Sequence, residues 1–183
     1  VNIMDNQAPT FVNLTTSSNE TNAGNSISYT ITASDKTGVS TATIIIKDAT
    51  NNNTLNYSYC NNWNSSGNNF TCSGSINTYA DWGGKTLTFD LVLKDTKNNQ
   101  SDSISSNKSL AVNIIDNQAP TLVNITTTIT GPTAGNSISY TITASDYTGV
   151  SESILSIKDN STNSNLGSSV TCNNWNPSGS NYI

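Results

Sequence analysis

The chain repeats itself, and that repeat limits what it can fold into more than any motif does. Val1–Ser40 returns as Val112–Ser151, displaced by 111 residues, with 30 of the 40 positions identical. VNIMDNQAPT is answered by VNIIDNQAPT, and AGNSISYTITASDKTGVS by AGNSISYTITASDYTGVS. After one inserted residue the match resumes, so Cys60-Asn-Asn-Trp-Asn aligns with Cys172-Asn-Asn-Trp-Asn. This period is too long for one turn of a solenoid and is the size of a small domain. The sequence therefore reads as part of a tandem array.

The repeat also sets boundaries. Residues 1–4 correspond to Val112–Ile115 and read as the tail of a preceding unit's last strand. Residues 5–115 make one complete unit, and 116–183 a second that stops before its last strands. Nothing in the second unit corresponds to Cys72–Ala111, so an open sheet edge and half a core are expected there. Continuation of the polypeptide is the favoured source of the missing strands, and a neighbouring chain the other.

Asn, Ser and Thr number 30, 28 and 27, while the charged residues are seven Lys and twelve Asp or Glu, with no Arg and no His. A net charge of −5 without a basic patch argues against nucleic acid as a partner, because phosphate neutralisation needs clustered cations. No apolar run approaches the length of a membrane-spanning helix.

Three cysteines would be odd in a secreted protein, and the repeat removes the oddity. Cys60 and Cys72 enclose a short loop, and Cys172 corresponds to Cys60. Zinc needs about four closely spaced ligands, and the chain has no His and no C-x-x-C pair. A Cys60–Cys72 disulfide is therefore expected, with the partner of Cys172 beyond the chain end, in an oxidising, extracellular setting.

Asn-x-Ser/Thr sequons occur at Asn13, Asn19, Asn52, Asn56, Asn64, Asn69, Asn99, Asn107, Asn124 and Asn160. Composition alone accounts for about that many, so their number is no sign of selection. They remain available acceptors for N-linked glycans on a surface protein.

The hydrophobic pattern has period two. In Asn25–Ser34, Ile27, Tyr29, Ile31 and Ala33 alternate with polar residues; in Lys85–Lys94, Leu87, Phe89, Leu91 and Leu93 share one face. Val39–Lys47 holds a β-branched run suited to an interior strand. Weaker strands are expected at Thr10–Thr16, Thr54–Cys60, Asn69–Ser75 and Asn107–Ile115. Turns rich in Asn, Gly and Asp are expected at Glu20–Asn25, Ser34–Gly38, Ala49–Asn53, Asp81–Gly84 and Asp95–Asn99. No stretch has a 3.6-residue period. About seven short strands per unit predict an all-β fold, an antiparallel β-sandwich of immunoglobulin type. Trp63 and Trp82 are expected as lids on its core.

Three strings in order carry a family resemblance: Asp5-Asn6-Gln7-Ala8-Pro9 (again at Asp116–Pro120), Ala33-Ser34-Asp35-Lys36-Thr37-Gly38-Val39 (again at Ala144–Val150), and Gly84-Lys85-Thr86-Leu87 through Lys94-Asp95-Thr96-Lys97-Asn98-Asn99. The chain resembles the tandem immunoglobulin-like repeats of bacterial and archaeal surface proteins, such as adhesin stalks, S-layer components and extracellular filaments. Asn98 stands where those repeats usually have Gly, and it is a residue that still tolerates a positive φ. The first string is also similar to the linker of cadherin junctions, although the other acidic motifs of cadherins are absent.

A sandwich of this kind places the lead-in segment, the loop after the second strand and the loop after the sixth at one pole. That would gather Asp5, Asn6, Asp35 and Asp95 in the first repeat, and Asp116, Asn117 and Asp146 in the second. Carboxylate, amide and backbone oxygens are calcium ligands; the competing expectation is Asx-turns at Asp35 and Asp146 with Pro9 and Pro120 stiffening the junction.

Catalysis has little to work with: there is no His, no Arg, no phosphate loop and no nucleophile motif. The favoured function is a structural extracellular module, stacked end to end on neighbouring repeats or identical subunits into a rod. The alternative is an adhesive module that binds glycans or a cell-surface ligand through polar loops, with Trp63 and Trp175 stacking on sugar rings. A further alternative is strand donation between subunits by Val1–Met4.

Overall fold

The computed structural model describes residues 5–105, 110–128, 135, 137–178 and 181–183. Val1–Met4 and the Asn107 sequon lie outside the described residues. The protein is all-β and falls into two units, Val1–Asn117 and Gln118–Ile183. Among the described residues the one helical element is a 3-10 turn at Ala80–Trp82, and no helix is long and apolar enough to cross a membrane.

The first unit contains β1 (Thr10–Thr16), β2 (Glu20–Asn22), β3 (Ser26–Ser34), β4 (Val39–Asp48), β5 (Thr54–Cys60), β6 (Asn64–Ser66), β7 (Asn69–Asn77), β8 (Thr86–Asp95), β9 (Ile104–Ser105) and β10 (Val112–Ile115). They form two sheets. One has the order β1-β3-β7-β6, all antiparallel. The other has the order β2-β10-β8-β4-β5, with β9 also on β8. Its pairs are antiparallel except β2 and β10, which run parallel.

Each of the seven stretches expected to be extended carries a strand, and β2, β6 and β9 are additional. Glu20–Asn25 was expected to be a turn, but its first three residues form β2, whose Thr21 pairs with Ile114. Three residues are too few to show a period, and tertiary pairing decided their conformation.

Alternation builds the core. On β3, Ile27, Tyr29, Ile31 and Ala33 are buried, and on β8 Leu87, Phe89, Leu91 and Leu93 are. β4 adds Ala42, Ile44 and Ile46, and β10 adds Val112 and Ile114. These residues come from both sheets and form one hydrophobic cluster. The pattern also fixes register, because a slip of one residue would expose every buried side chain.

The Cys60–Cys72 disulfide is formed, with Cα atoms 6.1 Å apart. Cys60 ends β5 in one sheet and Cys72 lies within β7 in the other, so the bridge joins the sheets. Tyr29 on β3 also crosses between them, its hydroxyl 3.4 Å from Ser58 Oγ on β5. On β7, Gly74 lies opposite Tyr29, and a Cβ there would come within 2.5 Å of the tyrosine hydroxyl. Glycine is required at that position because the ring occupies the space.

The second unit contains β11 (Thr121–Thr127), β12 (Tyr140–Ser145), β13 (Ser153–Leu155), β14 (Val170–Cys172), β15 (Pro177–Ser178) and β16 (Asn181–Tyr182). Its pairings copy the first unit. Thr121 faces Ser145 as Thr10 faces Ser34, with the same register shift between Leu122 and Asn124 as between Phe11 and Asn13. Ser153 faces Cys172 as Ala42 faces Cys60. Asn163 has φ 55° where Asn52 has φ 60°.

Candidate functional site

The expected gathering of acidic side chains is present in the first unit. Asp5 lies in the segment leading into β1, Asp35 follows β3 and Asp95 ends β8. Carboxylate oxygens of these three residues lie within 4.8 Å of one another, and they are the group of this kind among the described residues. Asp35 and Asp95 are buried, and Asp5 is partly covered.

Each carboxylate is held by the loop that carries it. Asp35 Oδ1 accepts the N–H groups of Thr37 (2.8 Å) and Gly38 (2.9 Å) and the Thr37 hydroxyl (3.1 Å). Gly38 follows at φ 111°, a conformation that favours glycine. Asp95 Oδ1 accepts the N–H groups of Lys97 (2.7 Å) and Asn99 (2.8 Å), while Asn99 Nδ2 donates to Asp95 Oδ2 at 2.7 Å. Asn98 closes this turn at φ 72°, in keeping with the tolerance expected of Asn there.

Asp5 ties the lead-in segment to both loops. Its Oδ1 accepts Gln7 N–H at 3.0 Å, its Oδ2 accepts the Thr37 hydroxyl at 2.7 Å, and its carbonyl accepts Asn99 Nδ2 at 3.1 Å. The loops also bond to each other: Thr96 N–H donates to Gly38 O, and the Thr96 hydroxyl to Thr37 O, both at 3.1 Å.

These donors set the electrostatics. The Gln7 N–H, helped by the Thr37 hydroxyl, holds the Asp5 carboxyl below the ordinary carboxylate range. Burial raises that of Asp95, but the Asn99 side chain and the N–H groups of Asn99 and Lys97 outweigh it, so its pKa is lowered. A cleft of about 240 Å³ lies beside the cluster, lined in part by Asp5, Gln7, Ser34, Asp35 and Asn68.

The donor set is all oxygen, which suits a hard cation such as calcium. The carboxylates also have hydrogen-bond donors of their own, so the pole closes through those bonds as well. The Asn6 side-chain Oδ1 accepts the Gln7 side chain at 3.2 Å, and the Asn6 backbone N–H is the smallest of the influences that lower the Asp5 pKa.

In the second repeat Asp146 Oδ1 accepts Thr148 N–H (2.8 Å) and Gly149 N–H (2.9 Å), the turn made by Asp35. Asp116 falls within the first unit, against Gly83, where a Cβ on the glycine would meet the Asp116 Cβ at 3.1 Å. Asn117 closes the first unit.

The aromatic residues differ in how far they are covered, with Trp63 and Trp175 half-buried. Trp63 packs against the core and Trp82 is buried within it, in edge contact with Tyr79. The indole N–H groups of Trp63 and Trp175 are buried without an acceptor. Of the two residues expected as lids, Trp63 covers the core and Trp82 is part of it, while the exposed aromatics of the first unit are Tyr57, Tyr59 and Tyr79. The Tyr57 and Tyr59 pair escaped the sequence reading because strand Thr54–Cys60 has only a weak alternation.

The sequons also separate. Asn13, Asn19, Asn52, Asn64, Asn69, Asn124 and Asn160 are exposed, Asn56 is half-buried, and Asn99 has its side-chain amide engaged at the acidic pole. No family model matches this chain, and no curated protein matches it in sequence.

Proposed function

We propose that this chain is a structural module of an extracellular, surface-exposed rod, built from immunoglobulin-like sandwiches in tandem. The observation that carries the reading is the repetition of one fold: two repeats, identical at 30 of their first 40 aligned positions, share strand registers, bulge position and turn conformations. A part whose role is length and stiffness is made well from identical copies. The inter-sheet disulfide fits an oxidising compartment. The Asn/Ser/Thr surface carries little that titrates, which keeps such a rod soluble over a wide pH range.

The acidic pole belongs to the same proposal. Asp5, Asp35 and Asp95 hold the lead-in segment against two loops, and calcium would stiffen that joint further. Melting of the chain in calcium should exceed melting in excess chelator; equal values discard calcium while leaving the rod intact. The rod itself is tested by electron microscopy of arrays with increasing repeat number. Contour length should rise linearly, by roughly 30–40 Å per unit for strands of this length plus a linker. Collapsed particles would discard it.

A second reading, adhesion to glycans or a surface receptor, has one observation in its favour. Tyr57 and Tyr59 stand exposed two residues apart on β5, the outer strand of its sheet. A glycan array separates the two readings, since binding lost in Tyr59→Ala would favour adhesion.

A further inference from the structure

The two repeats agree on their inner faces and part on one outer face. On β4 and β5 the inward residues Ile44, Ile46 and Cys60 return as Leu155, Ile157 and Cys172. The outward pair Ile45 and Tyr57, opposite each other in register, returns as Ser156 and Ser169, whose hydroxyls lie 2.9 Å apart. In the next pair on that face, Thr43 and Tyr59 return as Ile154 and Thr171. Packing accounts for what is kept. It does not call for two tyrosines that are 52% and 62% exposed on the outer strand of their sheet.

Tyr57 and Tyr59 share one face of β5, roughly 7 Å apart along the strand. Beside them, where β5 of one sheet runs next to β7 of the other, is a groove of about 160 Å³. Asn56, Asn77, Tyr57 and Tyr79 line it with the buried Ile46 and Ile76. Asn56 Nδ2 lies 3.5 Å from the Tyr79 hydroxyl, and Asn77 Oδ1 accepts the Ser26 hydroxyl at 2.7 Å. The Asn77 Nδ2 hydrogens and the Tyr79 hydroxyl proton are then donors for a ligand.

The chemistry selects the occupant. The charged side chains nearest in register, Lys47 and Asp90, pair with each other at 2.6 Å, so the face offers a ligand no net charge. Tyr57 N–H is accepted by Asn56 Oδ1 at 2.8 Å, which obstructs an added strand at this edge. What remains is flat rings beside amide and hydroxyl donors. That combination matches a sugar, an apolar C–H face ringed by hydroxyls.

We infer that β5 and the adjoining groove bind a neutral oligosaccharide, one pyranose ring seated against Tyr57 and Tyr79 and the next stacked on Tyr59. The inference deepens the adhesive reading and rests on it, and it confines recognition to the first repeat. It holds whether or not the units stack into a rod.

The test titrates the full chain, made without N-glycans because Asn56 is a sequon, with cellotetraose, mannotetraose and chitotetraose, following amide NMR signals. At least one sugar should shift the signals of Tyr57, Tyr59, Asn77 and Tyr79 and leave those of Ser169 and Thr171 in place. Tyr57→Ala and Tyr59→Ala should each weaken that binding about two- to tenfold. Neither should change the melting temperature, since both side chains are exposed. No shift with any of the three sugars overturns the inference, as does binding that both alanine variants retain in full. A dimer in sedimentation that Tyr59→Ala dissolves overturns it in favour of a second copy. Should the sugars fail while Tyr59→Ala still abolishes attachment to periodate-treated cells, the inference falls and adhesion to a protein stands. If that attachment is also indifferent to Tyr59→Ala, the adhesive reading falls with it.

Discussion

Asn99 Nδ2 lies 3.1 Å from the carbonyl oxygen of Asp5, ninety-four residues away in sequence, and 2.7 Å from Asp95 Oδ2. One amide group thus bonds the lead-in segment to the loop after β8. The geometry bears on both stability and modification.

Asn99→Ala removes both bonds and leaves the buried Asp95 carboxylate with one donor fewer. A loss of about 1–3 kcal/mol from the first unit is expected, read by urea unfolding. The same geometry predicts that Asn99 stays unglycosylated in a glycosylating host, because its Nδ2 faces inward. Intact-glycopeptide mass spectrometry should find glycans at exposed sequons such as Asn13 and Asn64 and none at Asn99.

The Cys60–Cys72 bridge closes a loop with a sequence separation of 12. Chain entropy gives it about 2–3 kcal/mol. Reduction should therefore lower the melting temperature of the first unit by roughly 10 °C, with no comparable change in the second. Calorimetry with and without a reductant checks this.

Acid should loosen the pole. The folded-state pKa values of Asp5 and Asp95 are lowered, so these groups bind fewer protons folded than unfolded. Their contribution is full above the ordinary value of 3.8 and is lost as pH falls below it. Asp159, with the Ser161 hydroxyl and nearby N–H groups on its carboxylate, is held down to about 2, so its turn should persist to lower pH. Titration by NMR of the aspartate carboxyl carbons tests the order: Asp159 should protonate at about 2, and Asp5 and Asp95 below the ordinary value.

Gly74→Ala places a methyl group within 2.7 Å of the Tyr29 ring carbon Cζ and 2.5 Å of its hydroxyl. Tyr29 is held between the sheets, so it cannot swing aside cheaply, and a loss of about 1–3 kcal/mol is expected. Adding Tyr29→Phe should recover part of it, a non-additivity that a double-mutant cycle measures.

Much of this architecture is legible in the sequence because burial of one strand face writes itself as alternation. Ile27/Tyr29/Ile31 and Leu87/Phe89/Leu91 are the clearest cases, and both face inward. The disulfide followed from the same repeat that explained Cys172. β2, β6 and β9 were not legible, since segments of two or three residues carry no period and are extended only because a neighbour pairs with them. At the acidic pole the carboxylates could be anticipated from topology, but the part played by Asn99 could not. Its sequon suggested a glycan, and only the fold brings its amide to Asp5.

The parallel pairing of β2 and β10 has a mechanical consequence. Tension entering through β1 and leaving through β10 draws β2 and β10 in opposite directions along their own axes. The bonds Asn113 N–H to Asn19 O and Ala23 N–H to Ile115 O, both 2.9 Å, then carry the load in shear. Bonds loaded side by side must give together, whereas a hairpin pulled from its open end gives one bond at a time. A three-residue strand that sequence patterning missed is thus the one that would set the unit's yield force.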